Sequence, residues 1–191
     1  MTISTSEGRP PLITVMICAY NEEKYIRQTL ESVLSQSYTD FEVVVVDDGS
    51  TDATFDIVAG YQRRDPRIRN HRQANKGFGA ARNAALRVAR GEWIAIIDAD
   101  DICLPHRLER QIAGASKHPE ACLLFSNSEH FLNDGTVVCR QFDSFNPCGM
   151  DLGPGRGAEL LLTQGNFVDS ETAFFRRESA VSVGGFPEQF R

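Results

Sequence analysis

The chain has 191 residues, 41% of them hydrophobic and 24% charged, which suits one globular domain with a substantial core. A net charge of −6 and a pI near 5.2 argue against a nucleic-acid partner, which requires a basic face, although a cation can still let an acidic protein bind a nucleotide diphosphate. No apolar run reaches the ~20 residues of a membrane span.

The N-terminus is read as lacking a signal-peptide core. The five cysteines (Cys18, Cys103, Cys122, Cys139, Cys148) are odd in number, form no C-x-x-C pair and are expected to be buried reduced thiols. The four histidines show no metal-ligand spacing. The expectation is a soluble, cytoplasmic protein, with peripheral association at the inner face of a membrane left open.

In chain order, residues 1–10 are polar and expected to be flexible. The apolar run at 13–18 ends in Ala19-Tyr20-Asn21-Glu22, and the spacing of Ile26, Leu30, Val33 and Leu34 predicts an amphipathic helix over 22–36. A second run, 41–46, ends in Asp47-Asp48-Gly49-Ser50, with Ser50 or Thr51 expected to cap a helix reaching about residue 63. A short strand near 68–72 leads into Asn75-Lys76-Gly77-Phe78-Gly79. Ala81, Ala84, Ala85 and Val88 then mark a helix closed by Gly91.

The third run, 93–97, ends in Asp98-Ala99-Asp100-Asp101. Pro105 suits the first turn of a helix to about residue 116, with Leu104, Leu108 and Ile112 on one face and Asp101 as candidate N-cap. A strand at 121–125 and a hairpin over 129–140 around Asn133-Asp134-Gly135 follow. A long loop at 142–157, a short helix at 158–163, an extended piece at 172–175 and a turn at Gly184-Gly185 complete the reading. Alternating strands and helices over 12–125 predict an α/β fold with a mainly parallel sheet. Ligands bind at the carboxyl ends of such strands, where all three polar clusters fall.

Asp98 and Asp100 lie two apart after a buried run, so an extended backbone would aim both at one hard cation such as Mg²⁺ or Mn²⁺. Taken alone, an Asp-x-Asp is more often a solvated loop or helix cap. Asp47 and Ser50 suit a capped βα turn, whereas a strand-end carboxylate could also accept from a base N–H or a ribose hydroxyl. Tyr20 is either a core-edge ring or a stacking platform for a base. Lys76 and Arg82 are surface cations or, beside Gly77 and Gly79, offsets to a diphosphate. G-x-G-x-x-G, the P-loop and G-x-S-x-G are all missing, which disfavours NAD or FAD enzymes, P-loop NTPases and α/β-hydrolases.

Together, Ile17-Cys18-Ala19-Tyr20-Asn21-Glu22, Val44 through Asp52, Asn75-Lys76-Gly77 with Ala81-Arg82-Asn83, and Asp98-Ala99-Asp100-Asp101 closely resemble family 2 glycosyltransferases. The resemblance covers about 12–125 and continues weakly through Phe175-Arg176-Arg177 and Gly184-Gly185-Phe186. It implies the GT-A fold, a Rossmann-like mixed, mainly parallel sheet flanked by helices. Residues 11–127 would be the nucleotide-sugar-binding subdomain and 128–191 a partial acceptor-side subdomain.

The implied reaction is metal-dependent, inverting transfer of a sugar from a nucleotide-diphospho-sugar, with UDP-sugars favoured, to a sugar, lipid or protein hydroxyl. The implied setting is cell-surface polysaccharide or glycolipid synthesis. By the same resemblance Tyr20 stacks on the base, Ala19 and Glu22 line the base and ribose pocket, and Asp48 hydrogen-bonds the base. Lys76 and Arg82 lie near the nucleotide, Asp98 approaches ribose or metal, and Asp100 is the principal ligand of Mn²⁺ or Mg²⁺.

The family's general base follows a Gly-Gly-Phe-Asp-Glu-like segment, matched here by Gly184-Gly185-Phe186-Pro187-Glu188. Its position is expected beyond Arg191, in a longer enzyme. A non-catalytic nucleotide-sugar-binding module is the alternative. A sugar-phosphate nucleotidyltransferase is disfavoured by Ala-Tyr-Asn-Glu-Glu where a Gly-rich loop would stand.

Overall fold

The structure is a computed structural model that describes residues 11–132, 134–140 and 169–189. β1 (Ile13–Ala19) and β2 (Phe41–Asp47) are built mainly from Ile, Val, Met and Phe, and every residue in both is buried. That burial is what strands covered on two faces require. β3 (Ile68–Arg72) pairs in parallel with β2, and β4 (Trp93–Ile96) in parallel with β1.

β5 (Leu123–Leu124) closes the far edge, and β6 (Glu129–Phe131) with β7 (Val137–Arg140) forms a separate bulged hairpin. β8 (Phe174–Arg176) inserts antiparallel between β4 and β5, giving the order β3-β2-β1-β4-β8-β5. Trp93 and Phe174 stack face to face across the β4–β8 pair, with centroids 4.9 Å apart.

The pleat sorts side chains into two cores. Ile13, Val15, Ile17, Val43 and Val45 meet α1 (Ile26–Leu34), α2 (Thr54–Gln62) and α4 (Arg107–Lys117). Met16, Cys18, Val44 and Val46 meet α3 (Phe78–Val88), where the small Ala81 and Ala85 allow close approach, and α5 (Arg177–Ser182) reaches the same cluster through Ala180. At the amino edge of the sheet the buried carboxylate of Glu42 accepts from Thr14 Oγ1 (2.8 Å), the Arg90 backbone N–H (2.7 Å), Arg90 Nε (2.7 Å) and Arg69 Nη1 (3.2 Å).

Several boundaries differ from the sequence reading. Residues 22–25 form a turn and α1 starts at Ile26. Ser50 and Thr51 do not cap α2: Asp52 accepts from Thr54 N–H (2.9 Å), while Ser50 Oγ accepts from the Asn21 amide (2.9 Å). Gly91 is no helix cap, since α3 ends at Val88 and a Cβ on Gly91 would press on the backbone of Ile13 and Thr14. Leu104 is 66% exposed and precedes α4, whose N-cap is His106 rather than Asp101.

The strand expected at 121–125 shortens to two residues, and Ser170–Thr172 is a 3₁₀ turn. Cys18 and Cys103 are buried as free thiols, but Cys122 and Cys139 are exposed because β5 and the hairpin lie at the periphery. Residues 1–10, Asn133, Cys148, the loop expected at 142–157 and the helix expected at 158–163 lie outside the described residues.

Candidate functional site

The carboxyl ends of β1, β2 and β4 open on one edge of the sheet, and their loops are tied together. Asn21 takes a left-handed φ of 58°, which Asn tolerates. Its side-chain oxygen accepts from Thr51 N–H (2.8 Å) and Thr51 Oγ1 (3.2 Å). The Glu22 amide donates to Thr54 Oγ1 (2.8 Å) and the Glu23 amide to Asp52 Oδ2 (3.1 Å). This cross-tying fixes the backbone just after Tyr20, a residue 43% exposed next to the buried Ala19.

The two acids of β2 have different work. Asp47 is fully buried, accepts from the Ser50 amide (3.3 Å) and faces Arg72 Nε as an ion pair at 3.1 Å without hydrogen-bond alignment. For Asp47 the turn-forming reading holds. Asp48 organises the next loop: Oδ1 accepts from Gln73 Nε2 (2.7 Å) and the Lys76 amide (2.9 Å), and Oδ2 from the Gly77 amide (2.8 Å). Gly77 caps α3 with a φ of 87°, a conformation suited to glycine. Lys76 itself is exposed at the rim.

At the end of β4, Asp98 is half-buried and Asp100 exposed. Arg82, reaching over from α3, places Nη2 3.4 Å from Asp98 Oδ1 and 3.2 Å from Ser170 Oγ. Burial raises the Asp98 pKa, Arg82 opposes the rise and Asp100 adds to it. Asp101 is pushed up to about 7 by burial and by the charges of Glu171, Asp100 and Asp98, with Arg107 opposing. Glu22 is raised by burial, then by Asp100, Asp52 and Asp98. Cys18, in the floor, is pushed up to about 12, first by burial, so it is an unreactive thiol.

The edge therefore carries more negative charge than its cations neutralise. No three His, Cys, Asp or Glu side chains among the described residues are grouped to hold a metal alone. Asp98 and Asp100 offer hard oxygen ligands in the number with which Mg²⁺ is commonly held, the rest coming from water and substrate phosphates. The donor set and its unneutralised charge fit such a cation.

The structure thus gathers Ala19, Tyr20, Glu22, Asp48, Lys76, Arg82, Asp98 and Asp100 around the three strand ends. Sequence reasoning missed Gln73, which braces Asp48, and the 169–171 segment. Ser128 Oγ donates to Asp169, His130 Nε2 lies 3.8 Å from the same carboxylate, and Ser170 meets Arg82. Their only sequence signal was the extended piece leading into β8.

A family model described as glycosyl transferase family 2 matches residues 14–183. An uncharacterised glycosyltransferase of Methanocaldococcus jannaschii is 39% identical over 137 residues, covering 69% of this chain and 46% of that protein. The chondroitin synthase of Escherichia coli is 36% identical over 140 residues, covering 73% of this chain and 20% of the synthase. Residues 1–349 of S. aureus TarS in complex with UDP-GlcNAc superimpose with a TM-score of 0.70 at 29% identity, covering 91% of this chain and 48% of that one. The chain spans less than half the length of each.

Proposed function

The chain belongs to glycosyl transferase family 2, and on that premise we propose that its strand-end cleft binds a nucleotide-diphospho-sugar, with a UDP-sugar favoured, for transfer to an acceptor hydroxyl. The observation that carries this reading is the meeting of Tyr20, Asp48 and the Asp98–Asp100 pair at adjacent parallel strand ends, with Arg82 reaching across them. The likeness to TarS, whose structure holds UDP-GlcNAc, supports the choice of donor. The likeness to chondroitin synthase supports a role in cell-surface polysaccharide or glycolipid synthesis.

In this reading Tyr20 covers the base, and Ala19 and Glu22 line the base and ribose pocket. Asp48 accepts a base N–H at Oδ2, which receives a single protein donor and so keeps an acceptor site. Lys76 and Arg82 offset diphosphate charge, and Asp98 and Asp100 hold Mn²⁺ or Mg²⁺. That cation would stabilise negative charge on the departing diphosphate.

Transfer is a single inverting displacement. The acceptor oxygen bonds to the anomeric carbon as the carbon–diphosphate bond breaks, and a general base takes the hydroxyl proton. No described residue is given the role of base. The setting is cytoplasmic, at the inner membrane face; among the described residues no helix is long and apolar enough to cross a membrane.

Titration calorimetry of UDP, GDP and dTDP, with Mn²⁺ and again with EDTA, tests the reading. One nucleotide is expected to bind, and only with the metal; silence from all three overturns the donor site. Within that assay Tyr20→Ala is expected to weaken the nucleotide by about 1–3 kcal/mol, the range for base–aromatic stacking. Unchanged affinity would move the base away from Tyr20.

A further inference from the structure

α3 does more than carry Arg82. The next residue, Asn83, engages the backbone of the loop after α5 in a reciprocal pair of hydrogen bonds. The Phe186 amide donates to Asn83 Oδ1 (2.8 Å), and Asn83 Nδ2 donates to the Phe186 carbonyl (2.9 Å) and to Glu188 Oε1 (2.7 Å). A primary amide has one donor group and one acceptor in the geometry of a peptide, so Asn83 pairs with Phe186 much as a neighbouring strand would.

The fit is close on both sides. Gly185 has a φ of 79°, and a Cβ there would collide with Asn83 Oδ1; a Cβ on Gly79 would collide with the Pro187 carbonyl. The loop thus rests on α3 at two points where side chains are reduced to hydrogen. Phe186 is fixed further by an edge-on contact with Phe175 of β8 at 6.2 Å, and the Arg82 guanidinium lies 5.7 Å from its ring centre.

The same helix is fixed at its start by the nucleotide site, because the Lys76 and Gly77 amides end on Asp48. Arg82 touches Asp98, Ser170 and the Phe186 ring together. A ligand that draws on Asp48 or Arg82 therefore bears on the start of α3 and on the helix's contact with the Phe186 ring. Without Asn83 the loop keeps its ring contacts but loses both backbone hydrogen bonds to the helix. Glu188 then also loses the donor that orients its carboxylate.

We propose that Asn83 is a positioning residue: it couples nucleotide occupancy to the placement of the 184–188 loop and touches no ligand itself. The proposal rests on the donor-site reading above. It predicts a response of the loop to nucleotide that a merely structural contact would lack.

Amide hydrogen exchange at Phe186, read by NMR with and without UDP and the diamagnetic Mg²⁺, tests it. Val45 in the buried β2 strand serves as the fold control. In the wild-type chain the nucleotide is expected to slow exchange at Phe186 by about 5-fold or more, the lower end of measured couplings between sites. In Asn83→Ala the amide should exchange faster and lose its response to nucleotide while Val45 stays protected.

Asn83→Asp serves as a second, isosteric variant should the first unfold. It keeps the acceptor for the Phe186 amide but sets a carboxylate against the Phe186 carbonyl and Glu188, and it too should lose the response. Calorimetry on the same samples separates the failures. Nucleotide that binds without altering Phe186, or a response that survives in either variant, overturns the coupling. No binding at all overturns the donor site, and the coupling with it.

Discussion

Asp100→Asn is expected to abolish metal-dependent nucleotide binding while leaving the thermal transition where it was. Asp100 stands exposed just beyond β4, and its charge raises the pKa of both Asp98 and Glu22. A group in that position repels its neighbours in the free protein and is stabilised only when a cation arrives. Exchange for Asn keeps the shape and one oxygen but removes the charge. Cation–phosphate stabilisation of this kind is worth several kcal/mol, so affinity for UDP with Mn²⁺ should fall about 100-fold or more.

The folded state loses only repulsion, and its stability should move by no more than about 0.5 kcal/mol, as for other surface changes. Calorimetry and a melting curve on one sample read both quantities. Retained Mn²⁺-dependent binding would sink the assignment of Asp100 and turn attention to Asp101 and Glu171 beside it.

How much of this was legible in the sequence depends on what set each feature. The buried strands were plain because a strand covered on both faces must be apolar throughout, and Val43 to Val46 meets that demand without exception. The short strand expected near 68–72 is β3, at those bounds. The caps were misread because Ser50 and Thr51 satisfy groups on the Asn21 loop rather than on their own helix, a partnership across 29 or 30 residues that local capping rules do not see.

β8 was read only as an extended piece at 172–175. Its pairing with β4 comes from far along the chain, and nothing in Phe174-Phe175-Arg176 marks the partner strand. At the site, the resemblance named the residues that face the cleft. It could not show that Asp48 spends most of its acceptor capacity on Gln73, Lys76 and Gly77, because those donors are mostly backbone amides with no sequence signature. Gly79 and Gly185 drew notice as loop glycines. Their closeness to Pro187 and Asn83 is a tertiary fact.

At the opposite edge of the same strands, Glu42→Ala should be among the costlier single substitutions for the fold. Glu42 is 2% exposed, and its loss takes the acceptor from the Arg90 guanidinium and amide and the Thr14 hydroxyl, while Arg69 keeps its bond to the Val88 carbonyl (2.7 Å). Breaking a buried pair costs about 3–5 kcal/mol. Arg90 is half exposed and can turn to water, which favours the lower figure. About 3 kcal/mol lowers the melting temperature of a chain this size by about 6–12 °C.

The pH dependence has a definite sign. Burial alone would raise the Glu42 pKa, but the hydrogen bonds from the Arg90 amide, Thr14, Arg90 and Arg69 outweigh it and leave the folded value below the ordinary 4.5. The unfolded chain therefore takes up the proton first as pH falls. The stabilisation is complete above 4.5 and is lost as pH drops through the lower folded value. The advantage of wild type over Glu42→Gln in denaturant melts should shrink across that interval; a constant gap down to pH 2 would mean the carboxylate charge contributes nothing. Because Glu42 and the donor residues lie at opposite ends of β1, β2 and β4, nucleotide affinity at neutral pH should stay within about threefold of wild type as long as the variant is folded, the small shift expected of distant, uncoupled sites.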